Sequence, residues 1–127
     1  MYSIDNQSRE AVYEQIVSQT ERFVLMGLMK ENQPMPSVRS LSMELSVNPN
    51  TIQKAYSELE RRGVTYVVPG RGSFIAADAR EKLSLAKHSL LSDIESLAGE
   101  CSLAGIDKSL VYEAVDKGYS EKGGNEQ

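Results

Sequence analysis

Apolar positions recur at helical spacing near the start of the chain, and this pattern predicts the first element. Over residues 9–29, the apolar side chains that fall near one face of a helix are Val12, Ile16, Val17, Phe23 and Val24. Pro34 and Pro36 come next. Because proline removes a backbone donor and restricts the residue before it, the helix is predicted to end ahead of them.

Two further helices joined by a tight turn are predicted next. Ser37 can cap the first of them, since its hydroxyl can accept a hydrogen bond from an exposed backbone N–H, and this short helix ends near Ser46. Asn48 and Pro49 then have the signature of a new helix start, where the missing N–H of proline costs nothing. The inward apolar stripe of this third helix is formed by Ile52, Ala55, Tyr56 and Leu59.

The pattern then changes to that of a β-hairpin, and afterwards returns to helix. Residues 64–68 are β-branched or aromatic, and residues 73–75 resume an extended pattern after a four-residue loop at 69–72. Helical spacing resumes with Leu83, Leu90, Leu91, Ile94, Leu97 and Cys101. Gly105 breaks this helix, and Asp107 can cap a final one that carries Leu110 and Val111.

The order of these elements predicts the fold class and the domains. Helix, short helix, tight turn, helix and hairpin is the order of a winged helix-turn-helix. The chain is therefore predicted to be mainly α with a small β-hairpin wing, followed by a two-helix C-terminal dimerisation appendage. Residues 1–77 would form the DNA-binding domain, residues 78–119 the helical dimerisation region, and residues 120–127, which are polar, a disordered tail.

Composition narrows the class of function. A chain of 127 residues is too short to join a DNA-reading domain to a full ligand-binding or catalytic domain. No window approaches 18 consecutive apolar residues, so no contact with a membrane is expected, and the start of the chain lacks a secretory pattern. A single cysteine, Cys101, excludes an intramolecular disulfide framework and fits a reduced cytoplasmic compartment.

The charge distribution permits nucleic-acid binding. The net charge is −4, but residues 36–75 carry five basic and three acidic side chains. In a winged helix-turn-helix the second helix of the pair enters the major groove with its N-terminal residues first. The polar residues there are Asn50, Thr51, Gln53 and Lys54. A polar helix face is usually only solvated, but the ordered combination with a thin wing tip carrying Arg71 favours DNA binding.

The same segments resemble the GntR family of bacterial regulators, and its YtrA-type branch in particular. The matching runs are 35–41 (Met-Pro-Ser-Val-Arg-Ser-Leu), 47–56 (Val-Asn-Pro-Asn-Thr-Ile-Gln-Lys-Ala-Tyr) and 70–75 (Gly-Arg-Gly-Ser-Phe-Ile), within an overall match over residues 10–76. The resemblance implies that Arg39 reaches the DNA, that Thr51 contacts its backbone and that Gly72 lies at the wing tip.

This chain also departs from the wider family. Pro49 and Gln53 stand where other branches often carry guanine-reading arginines, so operators of those branches do not transfer to this chain. The complete predicted DNA-binding set is Ser37, Arg39, Asn48, Asn50, Thr51, Gln53, Lys54, Arg71, Gly72 and Ser73.

The C-terminal helices are predicted to form a homodimer. Two helices with an apolar stripe cannot bury it by themselves, and a partner chain is the obvious cover. The alternative is that they fold back on their own winged domain. The resemblance adds that the YtrA-type branch uses a short helical C-terminus for dimerisation. The predicted dimerisation residues are Leu83, Leu90, Leu91, Ile94, Leu97, Leu110 and Val111.

The functional prediction is a homodimeric repressor that binds a two-fold double-stranded DNA operator; the resemblance implies transporter genes as its targets. One alternative is an effector-gated regulator with a small-molecule site between the C-terminal helices of the dimer. Another is a winged-helix protein-interaction module. No catalytic residue, metal ligand or cofactor is predicted, because His88 is the only histidine and no Cys/His cluster accompanies it.

Overall fold

The structure is a computed structural model that describes residues 1–120. The chain divides into two units, Met1–Leu85 and a second unit from Ala86 onward. The elements are α1 (Val12–Leu25), α2 (Val38–Leu45), α3 (Pro49–Arg61), β1 (Thr65–Val68), β2 (Gly72–Ile75), α4 (Ala79–Ala86), a 3₁₀ turn (Lys87–Ser89), α5 (Leu90–Leu103) and α6 (Lys108–Gly118). The predicted order of helices and hairpin is confirmed.

The first helix, Val12–Leu25, is shorter than the range 9–29 over which its apolar pattern recurs. It begins after Ala11, whose N–H donates to the Glu14 carboxylate at 3.1 Å.

The segment before α1 packs along this helix. Tyr2 is buried, its hydroxyl lies 2.7 Å from that of Thr20, and its ring meets Phe23 edge-on. Burial raises the pKa of Tyr2 to about 12.

The turn between α2 and α3 is tight because Ser46 adopts a left-handed conformation, with φ of 55°. The Ser42 hydroxyl donates to the Val47 carbonyl at 2.5 Å and so closes the turn from inside. Asn48 then caps α3 by accepting from the Asn50 N–H at 2.7 Å, and Pro49 occupies the first helical position. Both predicted start signals of α3 are confirmed.

The core of the first unit forms where α1, α2, α3 and the hairpin face one another. The side chains of Ile16, Leu41, Ile52, Leu59 and Ile75 are fully buried there. The inward stripe predicted for α3 is confirmed, since all four of its members are buried. Burial of these side chains holds α3 against the other elements and leaves its polar face outward.

The hairpin that forms the wing closes with a three-residue loop, one residue shorter than predicted. Val68 pairs with Gly72, so Gly72 belongs to β2 and only residues 69–71 connect the strands. The Arg71 N–H donates to the Val68 carbonyl at 2.9 Å, with Pro69 and Gly70 in the middle of the turn. Gly70 has φ of 79°, which a type II turn requires at this position.

The boundary between the two units differs from the prediction. Ala79 and Leu83 of α4 are 1% and 9% exposed and belong to the core of the first unit, which runs to Leu85 and does not end at residue 77. The assignment of Leu83 to a dimer surface is therefore wrong, because its side chain already packs in that core. The helical pattern predicted to run on from Leu83 is interrupted by the 3₁₀ turn.

The second unit consists of α5 and α6. The predicted cap is confirmed, because the Asp107 carboxylate accepts from the Ser109 N–H at 3.2 Å. No residue of α5 or α6 is buried. Ser120 still has helical backbone, and the remainder of the predicted tail, residues 121–127, lies outside the described residues. Among residues 1–120, no helix has the length and apolar character needed to cross a membrane.

Replacing Asn48 by alanine should lower the free energy of unfolding by about 1 kcal/mol, because the orphan N–H of Asn50 loses its acceptor. Asn48→Asp keeps an acceptor at the cap and should match the wild type. Urea unfolding followed by circular dichroism measures both variants. An alanine variant as stable as the wild type would contradict the capping role.

Candidate nucleic-acid interface

The outer face of α3 carries the polar side chains that the sequence singled out. Asn50, Gln53 and Lys54 are exposed, and Thr51 is half-buried beside them. The Gln53 amide donates to the Ser57 hydroxyl one turn later, at 3.3 Å. The first turn of α3 contains no acidic residue. Its positive dipole end is therefore open to an anion such as a phosphate.

The start of α2 contributes a free cation beside a cap. Ser37 caps α2 by accepting from the Ser40 N–H at 3.0 Å. Arg39 lies in the first turn and is exposed, and within residues 1–120 its guanidinium forms no ion pair. The five donors of this guanidinium are therefore available to an external partner.

The wing is joined by hydrogen bonds to the segment that leads into α2. The Met35 N–H donates to the Ser73 carbonyl at 2.8 Å, and the Asn32 N–H donates to the Ile75 carbonyl at 2.7 Å. Pro34 pairs with Phe74 as an isolated bridge. This extra pairing fixes the base of the wing relative to the start of α2.

A shallow cleft of about 280 Å³ brings half of the predicted DNA-binding residues together. Its walls come from the start of α2, from α3 and from the wing, and include Ser37, Gln53, Arg71, Gly72 and Ser73. At its base, the Tyr56 hydroxyl donates to the Pro36 carbonyl at 2.7 Å and ties α3 to the loop before α2. Burial raises the pKa of Tyr56, so this donor stays protonated. The remaining predicted residues, Arg39, Asn48, Asn50, Thr51 and Lys54, do not line the cleft.

The model of the bacterial regulatory proteins of the gntR family matches residues 12–75, from the first residue of α1 to the last residue of β2. The chain belongs to the GntR family. Its winged helix-turn-helix is thus the family's DNA-binding fold.

Relatives of this GntR chain extend the likeness beyond the winged domain. The HTH-type transcriptional repressor YtrA of Bacillus subtilis is 35% identical over 116 residues, which cover 91% of this chain and 89% of that protein. The structure of a GntR family transcriptional regulator from Listeria monocytogenes matches with a TM-score of 0.71 and 33% identity, over 90% of this chain and 98% of that one. These relatives are transcription regulators, so the chain is a regulator and not an enzyme.

A solved complex is also similar to the winged part. The DNA-binding domain of AraR, in complex with its operator ORE1, matches with a TM-score of 0.52 and 25% identity, over 60% of this chain and 93% of that one.

The arginines at the end of α3 are already paired. Glu58 accepts from Arg61 and, at 2.8 Å, from Arg62, and these hydrogen bonds lower its pKa to about 2. Arg62 also reaches Glu21 of α1 at 3.1 Å. Three basic side chains of residues 36–75 therefore have no acidic partner in the described part of the chain: Arg39, Lys54 and Arg71.

Tyr13 was not predicted from the sequence to lie at this surface. The Lys54 ammonium lies 4.1 Å from the centre of the Tyr13 ring on α1. No local pattern connects two positions so far apart along the chain. The Asn48 side chain forms the predicted cap of α3, and its predicted DNA contact stays a prediction.

Proposed function

We propose that the chain binds a two-fold double-stranded DNA operator as a homodimer and represses transcription. The observation that carries this proposal is the cleft that brings Ser37, Gln53 and Arg71 together from the start of α2, from α3 and from the wing. Arg39 and Lys54 lie outside this cleft, and within residues 1–120 neither has an acidic partner. Such a surface matches the phosphates and base edges of a duplex.

Each element has a distinct role in this proposal. The start of α3 enters the major groove, where the amides of Asn50 and Gln53 can each bond bidentately to adenine. Thr51 and Lys54 contact phosphates and set the register of the protein on the duplex. Arg39 bonds a phosphate or a guanine beside the start of α2. The thin turn at Gly70 lets Arg71 enter the minor groove.

The second unit supports the homodimer. A groove of about 760 Å³ runs between α5 and α6, and its lining is Ile94, Leu97, Ala98, Cys101, Ile106, Leu110, Val111, Ala114, Val115, Gly118 and Tyr119. Leu97 is 64% exposed and Leu110 is 55% exposed, although both are strongly apolar. The apolar side chains of these two helices would be buried by a partner surface packed against the groove. A second copy of the same unit supplies an apolar face of the same kind.

The effector-gated alternative has less support. A small-molecule site needs a few polar groups that orient the ligand. Among the described residues, the groove lining holds no charged side chain and one side-chain hydroxyl, that of Tyr119. A protein partner with an apolar face fits this lining better than a polar effector does. We propose repression because the similar Bacillus subtilis protein is named a transcriptional repressor. We propose transporter genes as targets because the chain resembles the YtrA-type branch.

Selection from a random DNA library tests the two-fold operator. We expect the full chain to enrich an inverted repeat whose half-sites are centred about 10 base pairs, or a multiple of that spacing, apart. A control duplex carrying the same half-sites as a direct repeat should bind more weakly. Enrichment of a single isolated half-site, or equal binding to both arrangements, would contradict the homodimer.

A further inference from the structure

Tyr13 and Lys54 form a contact that the packing of the first unit does not require. Tyr13 lies in the first turn of α1, partly buried against the core, and Lys54 lies on the exposed face of α3. The ammonium is 4.1 Å from the ring centre, well inside the range in which an aromatic face attracts a cation.

Other contacts already hold α1 against α3. Ile16 and Val17 of α1 are buried in the same core as Ile52 and Leu59 of α3. At the far ends of the two helices, Arg62 pairs with Glu21 at 3.1 Å. An exposed lysine adds little to this packing, so the placement of Lys54 calls for another explanation.

We propose that Tyr13 is a positioning residue that holds the Lys54 ammonium ready for an operator phosphate. A lysine has a long flexible stem, and ordering it on binding costs free energy. The ring restricts that freedom beforehand, and it occupies one side of the ammonium while the other N–H donors stay available to the phosphate. Since the contact joins the ammonium to the face of the ring, the ring carries the effect. The inference rests on the proposed DNA contact of Lys54.

A double-mutant cycle on the selected operator tests the inference in the full chain. Tyr13→Leu should weaken operator binding about three-fold, whereas Tyr13→Phe keeps the ring and should bind like the wild type. Lys54→Met should weaken binding about ten-fold and lower the salt dependence by about one released counterion. In the Lys54→Met background, Tyr13→Leu should have no further effect. Fluorescence anisotropy gives the affinities, and thermal unfolding checks the fold of each variant.

The outcomes separate this inference from the proposed function. If Lys54→Met binds as tightly as the wild type, the assignment of Lys54 to the interface fails. If Lys54→Met weakens binding but Tyr13→Leu does not, only the positioning role fails. Equal losses in Tyr13→Phe and Tyr13→Leu would mean that the hydroxyl contacts DNA directly. Fully additive losses in the double variant would mean that Tyr13 acts independently of Lys54.

Discussion

Replacing Ile94 by glutamate should convert the protein to monomers and weaken operator binding by about 100-fold, because two linked half-site contacts become one. Ile94 lines the apolar groove of the second unit, where a partner would have to bury the introduced carboxylate. An unpaired buried charge is too costly for the interface to tolerate. Sedimentation velocity reports the oligomeric state, and anisotropy on the inverted repeat reports the affinity.

Leu103→Glu is the matched control for this experiment. Leu103 lies on the same helix, is 84% exposed and is outside the groove lining. By helical period it points away from Ile94. The control should stay dimeric and keep its affinity, and circular dichroism should show that both variants retain their helices. A dimeric Ile94→Glu protein would place the interface on another surface.

Replacing Arg39 by alanine should weaken operator binding by about 10- to 100-fold, which is the loss expected when a specific arginine contact is removed. The fold should be unaffected, since the side chain is exposed and forms no ion pair within residues 1–120. Anisotropy on the selected operator and on random DNA separates specific from general losses.

Arg22→Ala is the control for the removal of one positive charge. Arg22 is exposed in the last turn of α1. It should change operator affinity less than two-fold at moderate salt, because exposed distant charges are screened. If the two variants lose affinity equally, the effect of Arg39 is one of overall charge, and its place in the interface is contradicted.

The sequence predicted the winged domain well because local signals decide most of it. The α3 stripe of Ile52, Ala55, Tyr56 and Leu59 has a strong helical period, and Asn48 with Pro49 determines where the helix begins. Proline and glycine marked the wing. The predicted length of the wing loop was wrong, because the pairing of Gly72 with Val68 depends on the register of the two strands and not on composition.

The predictions that were wrong or missing concern residues that meet only in the folded chain. Periodicity shows that Leu83 faces something apolar, but it does not say what; the structure places it in the core of the first unit. The cleft that gathers Ser37, Gln53 and Arg71 combines three separate segments, and the Tyr13–Lys54 contact links one of them, α3, to α1. Such pairs leave no trace in a single sequence, because nothing in local spacing connects them.

Sequence-specific operator binding by a dimer can be measured in a single titration. The full chain is titrated against the inverted repeat recovered by selection, and against a scrambled duplex of equal composition, at two salt concentrations. We expect at least about 1,000-fold tighter binding to the repeat, with an affinity that falls as salt rises. Equal, weak binding to both duplexes, or selection that enriches no sequence, would contradict it.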